Sequence, residues 1–199
     1  MTASSGTPTR MPNLNAGTMS AAQRAVHDRI ASGPRGAVVG PLRVWLSSPE
    51  LADRAQALGQ YVRYDSALSP RLSELAILVT ARIWSAGFEW AHHAPLALKA
   101  GVAAEAIDLI AQARRPSFPD VDSAAVFDFA VELQRDRQIS DATFAAAKAA
   151  VGEAAVVDLV GICGYYGLIS MTINAFHVPD GDGPVLPEVT APNSDYFRA

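Results

Sequence analysis

Between Pro70 and Ile83 the residues Leu72, Leu75, Ile77, Leu78, Val79 and Ile83 cover most faces of a helix. A helix that is apolar nearly all round must be buried, so the rest of the chain has to supply its walls. Glu74 stands inside this segment. A bare carboxylate in an apolar interior is costly, so Glu74 is expected to be hydrogen-bonded, ion-paired or protonated. Arg71 and Arg82 are its candidate ion-pair partners along the same helix. A second helix is expected to begin just after Gly87 and to end at Gly101, a C-cap glycine. It carries Glu89, His92 and His93. Spacings of three and four residues share a helix face. One carboxylate and one or two imidazoles can therefore converge there, and an antiparallel partner helix brings Glu74 to the same place.

The remaining chain also reads as helical. Alanine-rich runs, few β-branched alternations and a hydrophobic share of 50% over 199 residues favour one all-α domain with a sizeable core. Ser20 is a candidate cap for a helix to about residue 31. Residues 37–46, with Pro41 and Trp45, read as extended or irregular. Ser47 or Ser48 caps a helix that starts at Pro49 and runs to about Tyr64, with Leu51, Ala55, Leu58 and Val62 on its apolar side. Helices are expected over 103–113, 123–138, 141–151 and 153–176. In the last of these, Gly161, Gly164 and Gly167 fall on a three-residue step that permits close approach by another helix. The expected organisation is a flexible arm over 1–18, a helical domain over 19–179 and a Pro/Gly-rich tail over 180–199.

Several function classes are disfavoured. The net charge is −4 and no basic run resembles a nucleic-acid footprint, so no nucleic-acid partner is expected. Cys163 is the only cysteine, which excludes an intramolecular disulfide, a cysteine metal cluster and a dithiol redox pair. No signal peptide is evident, and the apolar stretch 154–175 is interrupted by Asp158, Ser170, Thr172 and Asn174, as in a buried core helix. A soluble cytoplasmic protein is expected, without a membrane association.

Arg71, Glu74 and Leu75, then Phe88-Glu89-Trp90-Ala91-His92-His93, then Leu96, Ala97, Lys99, Ala100 and Gly101 form a pattern that resembles the carboxymuconolactone decarboxylase family, within the alkylhydroperoxidase D-like superfamily. The segments 164–168 and 174–179 resemble its decarboxylase-like branch, and about residues 40–180 are covered. The resemblance implies an alkylhydroperoxidase D-like helical fold and a homo-oligomer, a trimer or hexamer. Peroxidase members carry a Glu, a Cys-x-x-Cys pair and a His four residues after the second Cys. Glu74 and His93 match that Glu and His, whereas Ala86 and Glu89 occupy the cysteine positions. The acid–base ends of the relay persist without the thiols that peroxide reduction requires.

A carboxylate beside an imidazole orients it and raises its basicity, which suits general acid–base catalysis. The candidate catalytic residues are accordingly Glu74, Glu89 and His93; His92, Arg82 and Trp90 are candidate substrate-binding residues. A Glu89–His93 pair is also what an ordinary helix surface presents. His92 and His93 point about 100° apart, so one faces a cavity and the other a neighbour. Glu89-x-x-His92 has the form used by di-iron bundles, but no second copy exists; a mononuclear site from Glu74, Glu89 and a histidine is the remaining metal alternative. No metal and no cofactor are expected. Cys163, in an apolar helix, is expected to be an inert core residue. The leading expectation is a cofactor-independent lyase or isomerase that moves a proton on a small organic acid or lactone. Its alternatives are a non-catalytic binding or assembly protein, whose pocket would be narrow and whose acidic and imidazole groups would satisfy one another, and an alkylhydroperoxidase-like antioxidant protein.

Overall fold

A computed structural model describes residues 8–198. Residues 1–7, which fall in the expected N-terminal arm, and Ala199 lie outside the described residues. The buried helix read from the sequence is α4 (Pro70–Ile83); the Ser69 side chain accepts from the Leu72 amide and Pro70 fills its first turn. It packs against α5 (Gly87–Ala100), α7 (Val121–Val131) and α9 (Glu153–Phe176). α6 (Ala104–Ala111) closes one side, and α8 (Asp141–Val151), capped by Ser140, lies on α7 and α9. α1 (Ala21–Ser32) opens with a reciprocal Ser20–Gln23 capping box and packs on α3 (Pro49–Gln60). Among the described residues no strand is formed.

The structure corrects several details. Residues 41–45 form a short helix, α2 (Pro41–Trp45), rather than an irregular segment. Pro41 is pre-set for a helical first turn, and Leu42, Val44 and Trp45 are buried, with the Trp45 indole N–H donating to Thr172 Oγ1 at 2.9 Å. In α3 the inward face is Ala52, Ala55, Gln56 and Gly59, while Leu51 and Leu58 are 47% and 48% exposed. Small residues, not leucines, let this helix sit close to α9. The chain continues from α3 as one wide π-turn, Tyr61–Asp65, which turns Val62 inward. Of the α9 glycines, a side chain at Gly161 would meet Val62 at 3.4 Å and one at Gly167 would meet Gln134 at 3.7 Å, whereas one at Gly164 would meet nothing within 4 Å, so the three do not form one seam.

α9 is the one helix among the described residues long and apolar enough to cross a membrane, and most of it is buried at the centre of the bundle. Residues 8–18 run along its end, where the Arg10 amide donates to the Phe176 carbonyl at 2.9 Å. Met11 and Leu14 pack on the core. The segment after Val178 is held down as well. Arg82 donates to the carbonyls of Ala111 and Pro187, and Tyr196 and Phe197 are buried.

The turn between α4 and α5 sets the geometry of the central pair. Ser85 adopts a left-handed conformation (φ 49°), and α5 starts at Gly87, where any side chain would collide with the Asp180 carboxylate. Gly101 ends α5 at φ 99°, the left-handed value that favours glycine. Pro95, inside α5, has no N–H to give to the Ala91 carbonyl. Gly183 of the C-terminal segment lies against that carbonyl so closely that a Cβ there would fall 2.1 Å from it.

Candidate active site

α4 and α5 run antiparallel, and this brings Glu74 to the His93 side of α5. His93 is 1% exposed, and both its ring nitrogens meet carboxylates. Nδ1 donates to Glu74 Oε2 at 2.7 Å, while Nε2 stands 2.9 Å from Glu89 Oε1, four residues back on the same helix. Glu89 is 5% exposed and Glu74 is half-buried. Burial opposes the charged form of His93, but Glu89 and Glu74 outweigh it and hold its pKa above the usual histidine value. The Tyr166 ring meets the imidazole edge-on, centroids 5.1 Å apart, and fixes its plane.

The proton inventory of this relay follows from its contacts. Glu74 holds a proton on Nδ1, which leaves Nε2 and Glu89 to share another. The pair exists as imidazolium with carboxylate, or as neutral imidazole with a carboxylic acid. Glu89 can therefore take a proton from a neighbour, or return it, while His93 stores it and Glu74 fixes the tautomer. Because both nitrogens of His93 are engaged, Glu89 is the member of the relay free to address a substrate atom. The two carboxylates stand on opposite edges of the ring, so they do not converge on one point; among the described residues no group of three or more His, Cys, Asp or Glu is arranged to hold a metal ion.

Glu89 and His93 border a small, half-open cavity of about 40 Å³. Its walls include Phe88, Tyr165 and Tyr166, with Arg35, Arg63 and His92 toward solvent. Arg35 Nη2 donates to the Tyr165 hydroxyl at 3.2 Å, and Arg63 Nη2 lies 3.0 Å from His92 Nε2. Protein packed around the His92 ring, together with His93 and Arg63, pushes its pKa down to about 4, so at neutral pH its Nε2 accepts from Arg63. Burial, with the charge of Glu89, drives the Tyr166 hydroxyl well above the ordinary tyrosine range, which keeps it a proton donor. That hydroxyl is buried and has no hydrogen-bond partner; the same is true of Arg35 Nε.

The residues proposed from sequence divide cleanly. Glu74, Glu89 and His93 come together, and His92 lines the same cavity. Arg82 and Trp90 do not. Arg82 is buried at the far end of α4, bound to Ala111, Pro187 and Ser85 and stacked 5.2 Å from the Tyr196 ring. Trp90 faces a separate groove between α5 and α6. Arg71, a candidate partner for Glu74, pairs instead with Asp122 at 2.9 Å. Arg35 and Arg63 were not singled out by the sequence, since they reach the site from a loop and a π-turn distant in the chain. Cys163 is fully buried, and its thiol is pushed up to about 12 by desolvation, so it presents no thiolate.

The all-helical bundle has the alkylhydroperoxidase D-like fold. The sequence model of the Carboxymuconolactone decarboxylase family matches residues 49–127, from α3 into α7, so this segment is similar to that family. Among solved structures, an uncharacterized peroxidase-related protein from Silicibacter sp. TM1040 superposes with a TM-score of 0.72 at 13% identity, over 91% of this chain and 96% of that one. A second uncharacterized peroxidase-related protein, from Ralstonia eutropha JMP134 and described as an alkylhydroperoxidase AhpD core, gives 0.70 at 16% identity, over 87% and 93%. The debrominase Bmp8, solved in complex with 2,3,4-tribromopyrrole, gives 0.63 at 13% identity, over 87% and 91%. At these identities the likeness defines the fold. No curated protein sequence matches the chain significantly.

Proposed function

We propose that this protein is a cofactor-independent acid–base enzyme of the carboxymuconolactone decarboxylase type, a lyase or isomerase acting on a small organic acid or lactone. The observation that carries this reading is the buried Glu74–His93–Glu89 relay, with contacts of 2.7 and 2.9 Å, opening through Glu89 onto a cavity. In the proposed step a Glu89 oxygen removes a proton from a carbon next to a carbonyl; His93 Nε2 shares the charge gained, and the electron pair moves onto the carbonyl oxygen. Return of the proton to the same or another carbon completes an isomerisation. Alternatively, a carboxyl group leaves as CO₂ in place of the proton, its bonding pair moves onto the same carbonyl oxygen, and protonation of that carbon from the relay completes a decarboxylation. Both balance without an oxidant or reductant.

A binding or assembly role on the same fold is favoured by one observation, the narrowness of the cavity. The unpartnered Tyr166 hydroxyl weighs against it, because a closed and self-satisfied pocket has no reason to keep a buried donor idle. An antioxidant role through thiols is opposed by the inert environment of Cys163. The exposed stripe Val157, Val160 and Met171 on α9 is consistent with a homo-oligomer, which we propose as the working form.

Deuterium wash-in tests the catalytic reading. A panel of lactones and small oxo acids is incubated with the protein in D₂O and followed by proton NMR. Enzyme-dependent exchange at one carbon is expected, with Glu89→Gln reducing it by about 10²–10⁴-fold, the usual contribution of general acid–base catalysis. Undiminished exchange in folded Glu89→Gln and Glu74→Gln would remove the relay from the chemistry.

A further inference from the structure

The relay does not account for four features of its cavity. The Tyr166 hydroxyl is 2% exposed in its residue and lacks any hydrogen-bond partner. Arg35 Nε is buried and equally unpartnered. Among the described residues, neither Arg35 nor Arg63 has a carboxylate within ion-pair distance, so the charge each brings to the cavity is not offset by a direct partner. And all three residues line the one cavity that Glu89 faces.

Buried donors are nearly always satisfied, and leaving one idle costs about 1–3 kcal/mol. Two idle donors in one small cavity therefore mark places kept for acceptor atoms. The charges point the same way. With His93 protonated, the relay carries a single net negative charge, while Arg35 and Arg63 bring two positive ones. The site as a whole is left with one uncompensated positive charge, which matches a monoanion.

Size decides how such a ligand enters. The cavity holds only about 40 Å³, a few times the space one water molecule needs, so it takes no more than the head group of a small ligand. The remainder of any substrate must extend past the arginines toward solvent. Gly59 belongs to the same construction: a Cβ there would lie 2.1 Å from the Tyr165 hydroxyl and 2.6 Å from Arg35 Nη2, so only glycine leaves room for the pair that aims Arg35 into the cavity.

We infer that Arg35, Arg63 and Tyr166 form a subsite for a small monocarboxylate that also bears a carbonyl oxygen, the guanidinium groups holding the carboxylate and the Tyr166 hydroxyl donating to the carbonyl oxygen beside Glu89. This rests on the acid–base reading above and narrows its substrate to monocarboxylates that also carry a keto or lactone carbonyl. Tyr166 is then a catalytic residue in the strict sense, placed where negative charge develops as Glu89 removes a proton.

Calorimetric titration with pyruvate as the charged probe and pyruvamide as its uncharged isostere tests the inference on folded, full-length protein. Saturable pyruvate binding is expected in the wild type, with pyruvamide at least tenfold weaker. Arg63→Met and Arg35→Met should each weaken pyruvate at least tenfold and erase the preference over pyruvamide. Tyr166→Phe should weaken both probes while keeping that preference. Glu89→Gln, which removes a repelling charge, should bind pyruvate as tightly as the wild type or more so. The inference is overturned if the wild type shows no saturable pyruvate binding, if pyruvamide binds as well as pyruvate, or if Arg63→Met and Arg35→Met leave affinity unchanged. Binding does not require turnover, so the two readings fail separately. Charge-selective binding with no exchange in any substrate defeats the catalytic step alone, and exchange that depends on Glu89 with charge-blind binding defeats this subsite alone.

Discussion

At the scale of single residues, His93 is the most constrained group in the site, because two carboxylates meet it and it is 1% exposed. Breaking a buried ion pair by removing one partner costs about 3–5 kcal/mol, so His93→Ala is expected to lower unfolding free energy in urea by that order. Its titration has a definite sign. The folded pKa lies above the unfolded value of 6.5, so the stabilisation is fully present below pH 6.5 and is lost as pH rises through the raised folded value. His92 behaves oppositely: its folded pKa of about 4 means that stability is lost as pH falls from 6.5 toward 4, where the unfolded chain takes up the proton first. Urea midpoints measured from pH 4 to 9 should show His93→Gln flattening the alkaline limb and His92→Gln flattening the acid limb. The same slopes in wild type and variants would refute the assignment. Much of this triad was legible beforehand, since a four-residue spacing on one helix and an acid on its antiparallel neighbour leave few other arrangements. Trp90 and Arg82 were misplaced for equally simple reasons. Trp90 is one residue from Glu89 but a 100° turn away, and Arg82 lies eight residues beyond Glu74, roughly 12 Å along the axis.

Elements position these residues through close approaches that apolar periodicity does not reveal. The inward face of α3 is made of alanine, glutamine and glycine; of the stripe read from its sequence Ala55 and Val62 face inward, whereas Leu51 and Leu58 point outward. Gly59→Ala tests the reason. Alanine gains up to about 1 kcal/mol of helix propensity over glycine, while over-packing typically costs about 1–3 kcal/mol. The variant is expected to be net destabilised, with α3 or Tyr165 displaced. An increase in melting temperature would show that the contact yields easily. The short helix α2 escaped sequence reading because its five residues carry too little periodicity and because Pro41 reads equally as a breaker or as a helix start. Arg63 was missed for a related reason: the π-turn at Tyr61–Asp65 rotates the end of α3 out of register with an ordinary helix.

Across the whole molecule, the segment after Val178 closes one end of the bundle, and its composition concealed this. Proline, glycine and aspartate dominate residues 179–195, yet Tyr196 and Phe197 are 3% and 5% exposed, and the Phe197 amide donates to the Ala113 carbonyl at 2.9 Å. Truncating a buried phenylalanine costs about 3–5 kcal/mol, a large part of the 5–15 kcal/mol that typically holds a domain together. Phe197→Ala should therefore lower the unfolding free energy by that amount, measured by urea denaturation, whereas a loss under 1 kcal/mol would mean the segment is only loosely applied. The overall architecture was otherwise legible, because α4 is apolar on nearly all faces and needs the neighbours that α5, α7 and α9 provide.

The burial of Cys163 has a practical corollary. With its sulfur sealed inside α9 and scarcely ionisable, the native chain should be silent toward maleimides and similar probes. A cysteine engineered at the exposed Val39, on the cavity wall, would then be the sole labelling position, and a dye attached there would report occupancy directly, without knowledge of the reaction.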